Sequence, residues 1–562
     1  MSQPNLFPDD NNQQVALEAN PDPHLVAQLR RSAAWAAFGD AMGFISELTD
    51  ERGLRRRTEG RALTTTMPWK RRIGGRSGVQ AQLPSGCYSD DTQLRLATCR
   101  SLSGGQFDVE TFARIELPVF PAYALGGGLG TKAAATNLAR PSTPWFANTY
   151  KNWFNGGGNG AAMRIQPHVW AAHAHNSRET MMRDVLRNTV CSHAHPIAIL
   201  GAYLHATSVD FALSNRVLPT IDDVAQFLAD ASQIVDVMDD DRDGLRNWKA
   251  AWQSASSRSF ASSWNDVVAE IGRCTDAARR IQPEAADYYP DLLRTLGLFD
   301  SERRGSGAHT ALAAVLLASW SAPPSERIEA ATRAVGSDTD TIATMAGAIL
   351  GCVADVHPHG EVLDSAYIEA EVERISGFAD ATAMRPHHYP DLLTWSAPRT
   401  QADALCLDGD QLHVAGLGDV AETLSDPMSS QDGRFAWQWV RLEIGQTLLV
   451  KRRPDLEQLA EGNRTSPPAR YSTRAATPAS VRDVGVSAAA INQAPTLDSG
   501  LKSIDLDEVL TWLEGQDFDD KSIGFALRRM AVRGTPAQTA SFLAILLDRL
   551  SESGGSSRRG GR

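Results

Sequence analysis

Cysteine is scarce in this chain: six residues among 562, at Cys87, Cys99, Cys191, Cys274, Cys352 and Cys406. None forms a CxxC pair, which argues against a disulfide frame or a cysteine zinc site and fits reduced thiols in a cytoplasmic protein. No run of 18 consecutive apolar residues is present, so no membrane span is expected. Residues 1–20 are polar and lack the apolar stretch of a secretion signal; residues 1–22 read as a disordered leader. Positive charge is also short: 55 Lys and Arg stand against 67 Asp and Glu, a formal charge of −12. That balance argues against a nucleic-acid partner and leaves room only for a local basic groove.

What the chain does have is apolar residues (42%) and alanine-rich helical patterning. Residues 25–380 read as helix after helix. Ile342, Met345, Ala346, Ile349 and Leu350 follow the spacing of one buried face, while Ala343, Gly347 and Gly351 leave room for a close neighbour. This segment and residues 33–43 are expected to be central helices. Beyond Trp395 the texture changes. Short β-prone runs occur at 404–407, 411–415 and 435–450, with Asp408-Gly409-Asp410 and Gly445-Gln446 as hairpin turns. The expected organisation is a helical domain over 23–394, a small β-rich appendage over 395–452, a Pro/Ser/Ala/Thr-rich linker over 453–500, a helical module over 501–550 and a tail over 551–562. Asp505 with Glu508, and Thr535-Pro536 with Gln538, have the pattern of capping boxes for that module.

Three acidic clusters carry the chemistry. Asp338, Thr339, Asp340 and Thr341 lie just before the small-residue helix, and Ser89, Asp90 and Asp91 precede a second helix. Each taken singly reads as an ordinary capping turn, because Asp, Ser and Thr favour helix starts. Adjacent aspartates repel, however, and two such turns supply only hard oxygen ligands, the set that suits magnesium, calcium or manganese rather than zinc. A shared site for two ions about 3.5–4 Å apart is the sharper reading. The third cluster, 39–47, places Asp40 in a helix, as a structural acceptor for backbone donors, and Glu47 on the loop that follows.

Two glycine runs, 126–130 and 156–160, allow backbone N–H groups to approach phosphate oxygens, but neither ends in the Lys-Ser/Thr of a P-loop. His193 and His195 are two apart with no further zinc partners in suitable spacing; each reads as a hydrogen-bonding or core histidine. His168, His173 and His175 read as structural or surface residues. Trp153 and Phe154 offer an aromatic face to a base or belong to the core.

Together the segments GDAMGFISE, YSDDT, GNGAAMR, SHAHP and GSDTDTIATMAGAILG resemble, in order and spacing, the ADP-ribosylglycohydrolase family, which includes the dinitrogenase reductase-activating glycohydrolases. The resemblance covers about 25–380. It implies a mainly α protein: a compact orthogonal helical core of that family's type, with the β-rich appendage and C-terminal helical module outside it. It further implies a magnesium-dependent hydrolase that cleaves the glycosidic bond between ADP-ribose and a modified acceptor. Two Mg2+ ions are expected, with Mn2+ as a possible substitute. The resemblance assigns Ser89, Asp90, Asp91, Asp338, Asp340 and Thr341 as metal ligands, with Glu47 as a mobile-loop glutamate at the same site. Asp91 and Glu47 become the candidate catalytic carboxylates. Gly158, Asn159 and Gly160 become the loop that cradles ADP-ribose, and His193 lines its nucleotide side.

The chain departs from the family pattern at Trp35, at Gly156 and Gly157, and at Ser337. Two other readings use the same residues: a non-catalytic ADP-ribose-binding module, and a di-metal nucleotide phosphoesterase. The expected partner is an ADP-ribosylated protein or other acceptor, with a further protein partner for the C-terminal modules.

Overall fold

The computed structural model describes residues 22–103, 105–242, 244–282, 287–377, 387–465, 506–516 and 520–533, with scattered positions up to 549. Residues 1–21 of the expected leader, residues 466–500 of the expected linker, Asp505, Thr535, Pro536 and the tail lie outside the described residues. The fold is mainly helical, with small sheets.

Its centre is an antiparallel pair, Pro23–Ser46 and Thr339–Val353, both buried along most of their length. Small residues let the two backbones touch. A Cβ on Gly43 would lie 2.4 Å from the Asp340 Cα, and one on Gly347 would lie 2.3 Å from the Trp35 carbonyl oxygen. Hydroxyls cross the seam and donate to carbonyls of the facing helix: Ser32 to Ala348 at 2.7 Å, Thr339 to Gly43 at 2.8 Å and Thr344 to Ala36 at 2.8 Å. The expectation of two central, closely packed helices therefore holds.

Pro196–Asn215, Gly307–Ser319 and shorter helices surround this pair. Pro196–Asn215 has the length and average hydropathy of a membrane span, although Tyr203, His205, Ser208 and Asp210 interrupt its apolar run. Most of it is buried against other helices, so the core uses its apolar surface.

A hairpin inside the helical region was not expected. Trp69–Ile73 pairs antiparallel with Val79–Leu83. Its second strand has strict alternation, with Val79, Ala81 and Leu83 buried and Gln80 and Gln82 exposed.

Beyond Trp395 the chain forms an antiparallel sheet in the order Thr447–Arg452, Ala436–Leu442, Gly418–Thr423, Gln411–Val414, Leu405–Asp408, with the short Met428–Ser429 also on Ala436–Leu442. Both expected hairpins are present. Gly409 (φ +63°) and Gly445 (φ +101°) take left-handed turn positions that a side chain disfavours. The sheet shares one apolar core with the helices: Leu405, Val414, Val440 and Leu448 pack in continuity with it. The Trp395 indole donates to the Arg114 carbonyl at 2.7 Å. The buried Arg100 guanidinium grips Glu116 through two bonds, at 2.7 and 2.8 Å, and reaches Gln446 of the sheet at 2.6 Å.

Residues 454–464, expected at the start of the linker, stay on the sheet: Leu407 N–H donates to the Glu457 carbonyl and Leu459 N–H to that of Leu407. Buried Leu459 and Asn463 explain the attachment. Helices Leu506–Gly515 and Asp520–Arg533 enclose a smaller apolar cluster with Leu393. Arg528 pairs with Glu110 at 3.1 Å and Arg529 pairs with Asp391. All six cysteines are free thiols.

Candidate active site

The fully buried Asp40 organises the site from within the first helix. Its two carboxylate oxygens accept the N–H groups of Ser89 at 2.9 Å and Thr92 at 2.8 Å, two of the otherwise unpaired donors that open the helix Asp90–Arg100. Asp40 thus clamps the Ser89–Asp91 turn to the central pair. It serves backbone donors, as expected, but of a distant helix rather than its own. Across the seam, Gly43 brings the first helix against Asp340, so the turn before Thr339–Val353 lands beside the Ser89–Asp91 turn.

Oxygen atoms from distant segments meet there. The Thr341 hydroxyl lies 3.4 Å from Asp91 Oδ1, and Asp340 Oδ1 accepts the Thr341 N–H at 2.9 Å. Ser89 caps its helix by accepting the Asp91 N–H at 3.2 Å. Glu47, at the end of the first helix, accepts from Arg71 Nη1 at 3.1 Å, and its backbone carbonyl accepts from Arg57 at 2.7 Å. The Arg71 guanidinium also lies 4.4 Å from the Phe44 ring centre.

Electrostatics register the crowding. Burial pushes the Glu47 carboxyl up to about 7; Asp90 and Asp338 add to the rise and Arg71 opposes it. Burial likewise takes Asp90 up to about 6, with Asp40 adding to the rise and Lys132 opposing it. Burial raises Asp91, reinforced by Asp40, Asp90 and Asp338 against Arg95, and raises Asp340, reinforced by Glu47, Asp91 and Asp338. These groups lie close enough to oppose one another's ionisation.

The residues fit a divalent cation on one further observation: Asp91 Oδ2 is buried and has no hydrogen-bond partner. A buried carboxylate oxygen without a donor is costly, and a hard cation is the partner its chemistry suits. Among the described residues no three Asp, Glu, His or Cys side chains form a ready metal cage. The hydrogen bonds give a reason. Arg71 holds Glu47, the Asn159 amide holds Asp338 Oδ2 at 2.8 Å, and Ser89 and Thr341 offer hydroxyls rather than acids.

The 158–160 loop lies against the same cluster. Asn159 reaches Asp338 through its amide, and its N–H donates to the Gly305 carbonyl at 2.9 Å. The His193 ring lies along the loop: a Cβ on Gly160 would meet it at 2.9 Å. Nδ1 of His193 shares a hydrogen bond with the Ser192 hydroxyl at 2.8 Å, and burial lowers the ring to about 3, so it is neutral. His195 is apart from the oxygens and caps Pro196–Asn215 through its Nδ1, which accepts the Ile197 N–H. Trp153 is buried edge-on against Trp248 and Phe154, a core placement.

Sequence reading missed Arg71 and the reason for Gly126. Arg71 sits on the overlooked hairpin; the alternation of Val79–Leu83 was the available signal. Gly126 makes room for Asp90, since a Cβ there would lie 1.9 Å from Asp90 Oδ1.

The family profile described as ADP-ribosylglycohydrolase matches residues 30–358, and the chain belongs to that family, one of glycohydrolases acting on ADP-ribosylated substrates. Among solved structures, a chain described as "ADP-ribosylglycohydrolase-related protein complex" is 17% identical, with 63% of this chain and 99% of that chain covered and a TM-score of 0.41. No curated protein matches.

Proposed function

We propose that the protein is a magnesium-dependent hydrolase that breaks the glycosidic bond between ADP-ribose and a modified acceptor. The observation that carries this reading is the buried, partnerless Asp91 Oδ2 amid carboxylates from three segments that raise one another's pKa. Ser89, Asp90, Asp91, Asp338, Asp340 and Thr341 would hold two Mg2+ ions, with Glu47 at their edge; Mn2+ has compatible ligand preferences. When bound, the ions supply Lewis-acid polarisation of ribose hydroxyls and of a water.

The chain's own groups supply the rest. A Glu47 carboxyl with a pKa of about 7 is matched to taking and returning a proton near neutral pH. Asp91 is the second carboxylate placed to take the proton of an attacking water. The carboxylates also favour the positive charge that builds on the ribose as the bond to the acceptor stretches. Gly158 and Gly160, which lack side chains, would let the loop come close to the phosphates, with Asn159 tying that loop to Asp338, and neutral His193 would offer a hydrogen bond on the nucleotide side. The helices after residue 505 serve as a protein-partner element in this reading; Leu543 and Ile545 expose apolar side chains.

The test is release of ADP-ribose from a panel of ADP-ribosylated arginine, serine and nucleic-acid substrates, with magnesium or EDTA. Asp338→Ala/Asp340→Ala is expected to abolish release while circular dichroism and elution volume stay unchanged. Full activity in the folded double variant would refute the assignment. Tight ADP-ribose binding without turnover on any substrate would favour a binding module, and phosphate release from nucleotides a phosphoesterase.

A further inference from the structure

The joint between the helices and the sheet holds a cavity of about 390 Å3, a size that suits a small molecule. Its two sides differ. The helical side, within the residues matched by the family, is mostly apolar: Pro118 and Pro121, then Ala135 and Ala139 on and just past the helix Leu129–Leu138. The other side, beyond those residues, brings an aromatic ring and charge: Phe435, Lys451 and Arg453, with Arg399 on the loop that precedes the sheet. The chain has 67 Asp and Glu against 55 Lys and Arg, yet this lining includes three cations and no carboxylate. No lining residue belongs to the oxygen cluster, to the 158–160 loop or to His193.

One of the three cations is already satisfied. Arg453 donates to Asp403, whose carboxylate also accepts the Thr400 N–H at 2.9 Å and the Thr400 hydroxyl at 2.8 Å. That clasp fastens the loop beginning at Pro398 to the end of the strand Thr447–Arg452. With the backbone stiffened at Pro118, Pro121 and Pro398, the walls are set before any ligand arrives. Lys451 is different. It stands opposite Trp437 in the strand pair, and its ammonium lies 4.2 Å from the Phe435 ring centre and 5.5 Å from that of Trp437. Burial lowers its pKa; Asp432 opposes that shift but is itself held by Arg434 at 2.8 Å. Neither Lys451 nor Arg399 has an ion-pair partner among the described residues.

We infer that this cavity binds a small organic anion, with a flat apolar body against the prolines and Phe435 and a carboxylate, phosphate or sulfonate paired with Lys451 and Arg399. Charge complementarity selects the occupant. A half-buried ammonium without a counter-ion is costly, and a bound anion offsets that cost through charge-assisted hydrogen bonds. The proline and alanine side chains opposite offer no polar atom, so they reward an apolar body and leave a fully polar one unsatisfied. This site is separate from the carboxylates and does not depend on the hydrolase reading.

The test uses the full chain and the fluorescence of anilinonaphthalene sulfonate, which joins flat rings to one anionic group. The parent is expected to bind it saturably, one dye per chain. Arg399→Gln/Lys451→Gln is expected to bind at least about tenfold more weakly with unchanged circular dichroism, since each charge-assisted bond is worth that much. Thr136→Trp, which fills the cavity from its exposed helical rim and leaves both cations in place, is expected to lose binding as well. Phenylnaphthylamine, which lacks the sulfonate, is expected to bind the parent at least about tenfold more weakly than the dye. Asp338→Ala/Asp340→Ala is expected to bind the dye as the parent does. No saturable binding by the parent, undiminished binding by both cavity variants, or equal affinity for the uncharged analogue would overturn the inference. Dye binding lost in Asp338→Ala/Asp340→Ala but kept in Arg399→Gln/Lys451→Gln would overturn it too, by placing the dye at the oxygen cluster.

Discussion

Two groups of buried carboxylates lie at opposite ends of the same helix, Asp90–Arg100, and they are built differently. At its C-terminal end Glu116, fully buried, takes two bonds from Arg100 and a third from the Tyr389 hydroxyl at 2.6 Å. Every charge there has an opposite partner and the network joins the helices to the sheet through Gln446. At its N-terminal end Asp90, Asp91, Asp338, Asp340 and Glu47 crowd together, with Arg71, Arg95 and Lys132 opposing them only in part and one oxygen left without a donor. A buried acid with a matched base is architecture; a buried acid without one is costly to keep and makes sense where a cation or substrate completes it.

That contrast predicts opposite responses to substitution. The largest is in activity: Asp91→Asn, nearly isosteric, is expected to lower ADP-ribose release about 1,000-fold in steady-state assays, with a melting temperature equal to or above the parent's because a crowded buried charge is gone. Arg100→Met should do the reverse. It strands Glu116 and is expected to cost about 3 kcal/mol in urea unfolding, with the folded fraction still binding magnesium. If Arg100→Met were neutral and Asp91→Asn strongly destabilising, the two ends would have been read the wrong way round. Arg71→Gln is expected to be milder, about tenfold in kcat. It removes the cation that most opposes the rise of Glu47, so the acid limb of the pH profile should move to higher pH.

Much of the oxygen site could be read from the chain because its parts are contiguous: Ser89–Asp91 and Asp338–Thr341 each occupy a single turn whose capping chemistry shows in the residue types. The central helix pair was readable for a similar reason, since Ala343, Gly347 and Gly351 recur every four residues and leave one face of the helix without bulk. The hairpin carrying Arg71 was not. Its strands are five residues long and sit in an arginine- and glycine-rich stretch between helices, where a short alternation carries little weight. The union of sheet and helices was also hidden, because Arg100, Glu116 and Gln446 combine only in three dimensions. Asn159 was expected at the ADP-ribose; the structure places its amide on Asp338, a distinction that spacing does not encode.

The central claim is most directly tested by calorimetric titration of magnesium chloride into metal-free protein near pH 7, repeated in buffers of different ionisation enthalpy. Carboxyls such as Glu47 and Asp90, whose folded pKa values lie above their ordinary ones, bind more protons folded than unfolded, so stability without metal falls as pH rises from about 4.5 through about 7. A cation that needs their charged forms must expel those protons. Saturable binding with net proton release, lost in Asp338→Ala/Asp340→Ala, is the predicted result. No magnesium binding, together with ADP-ribose release that continues undiminished in EDTA, would contradict it.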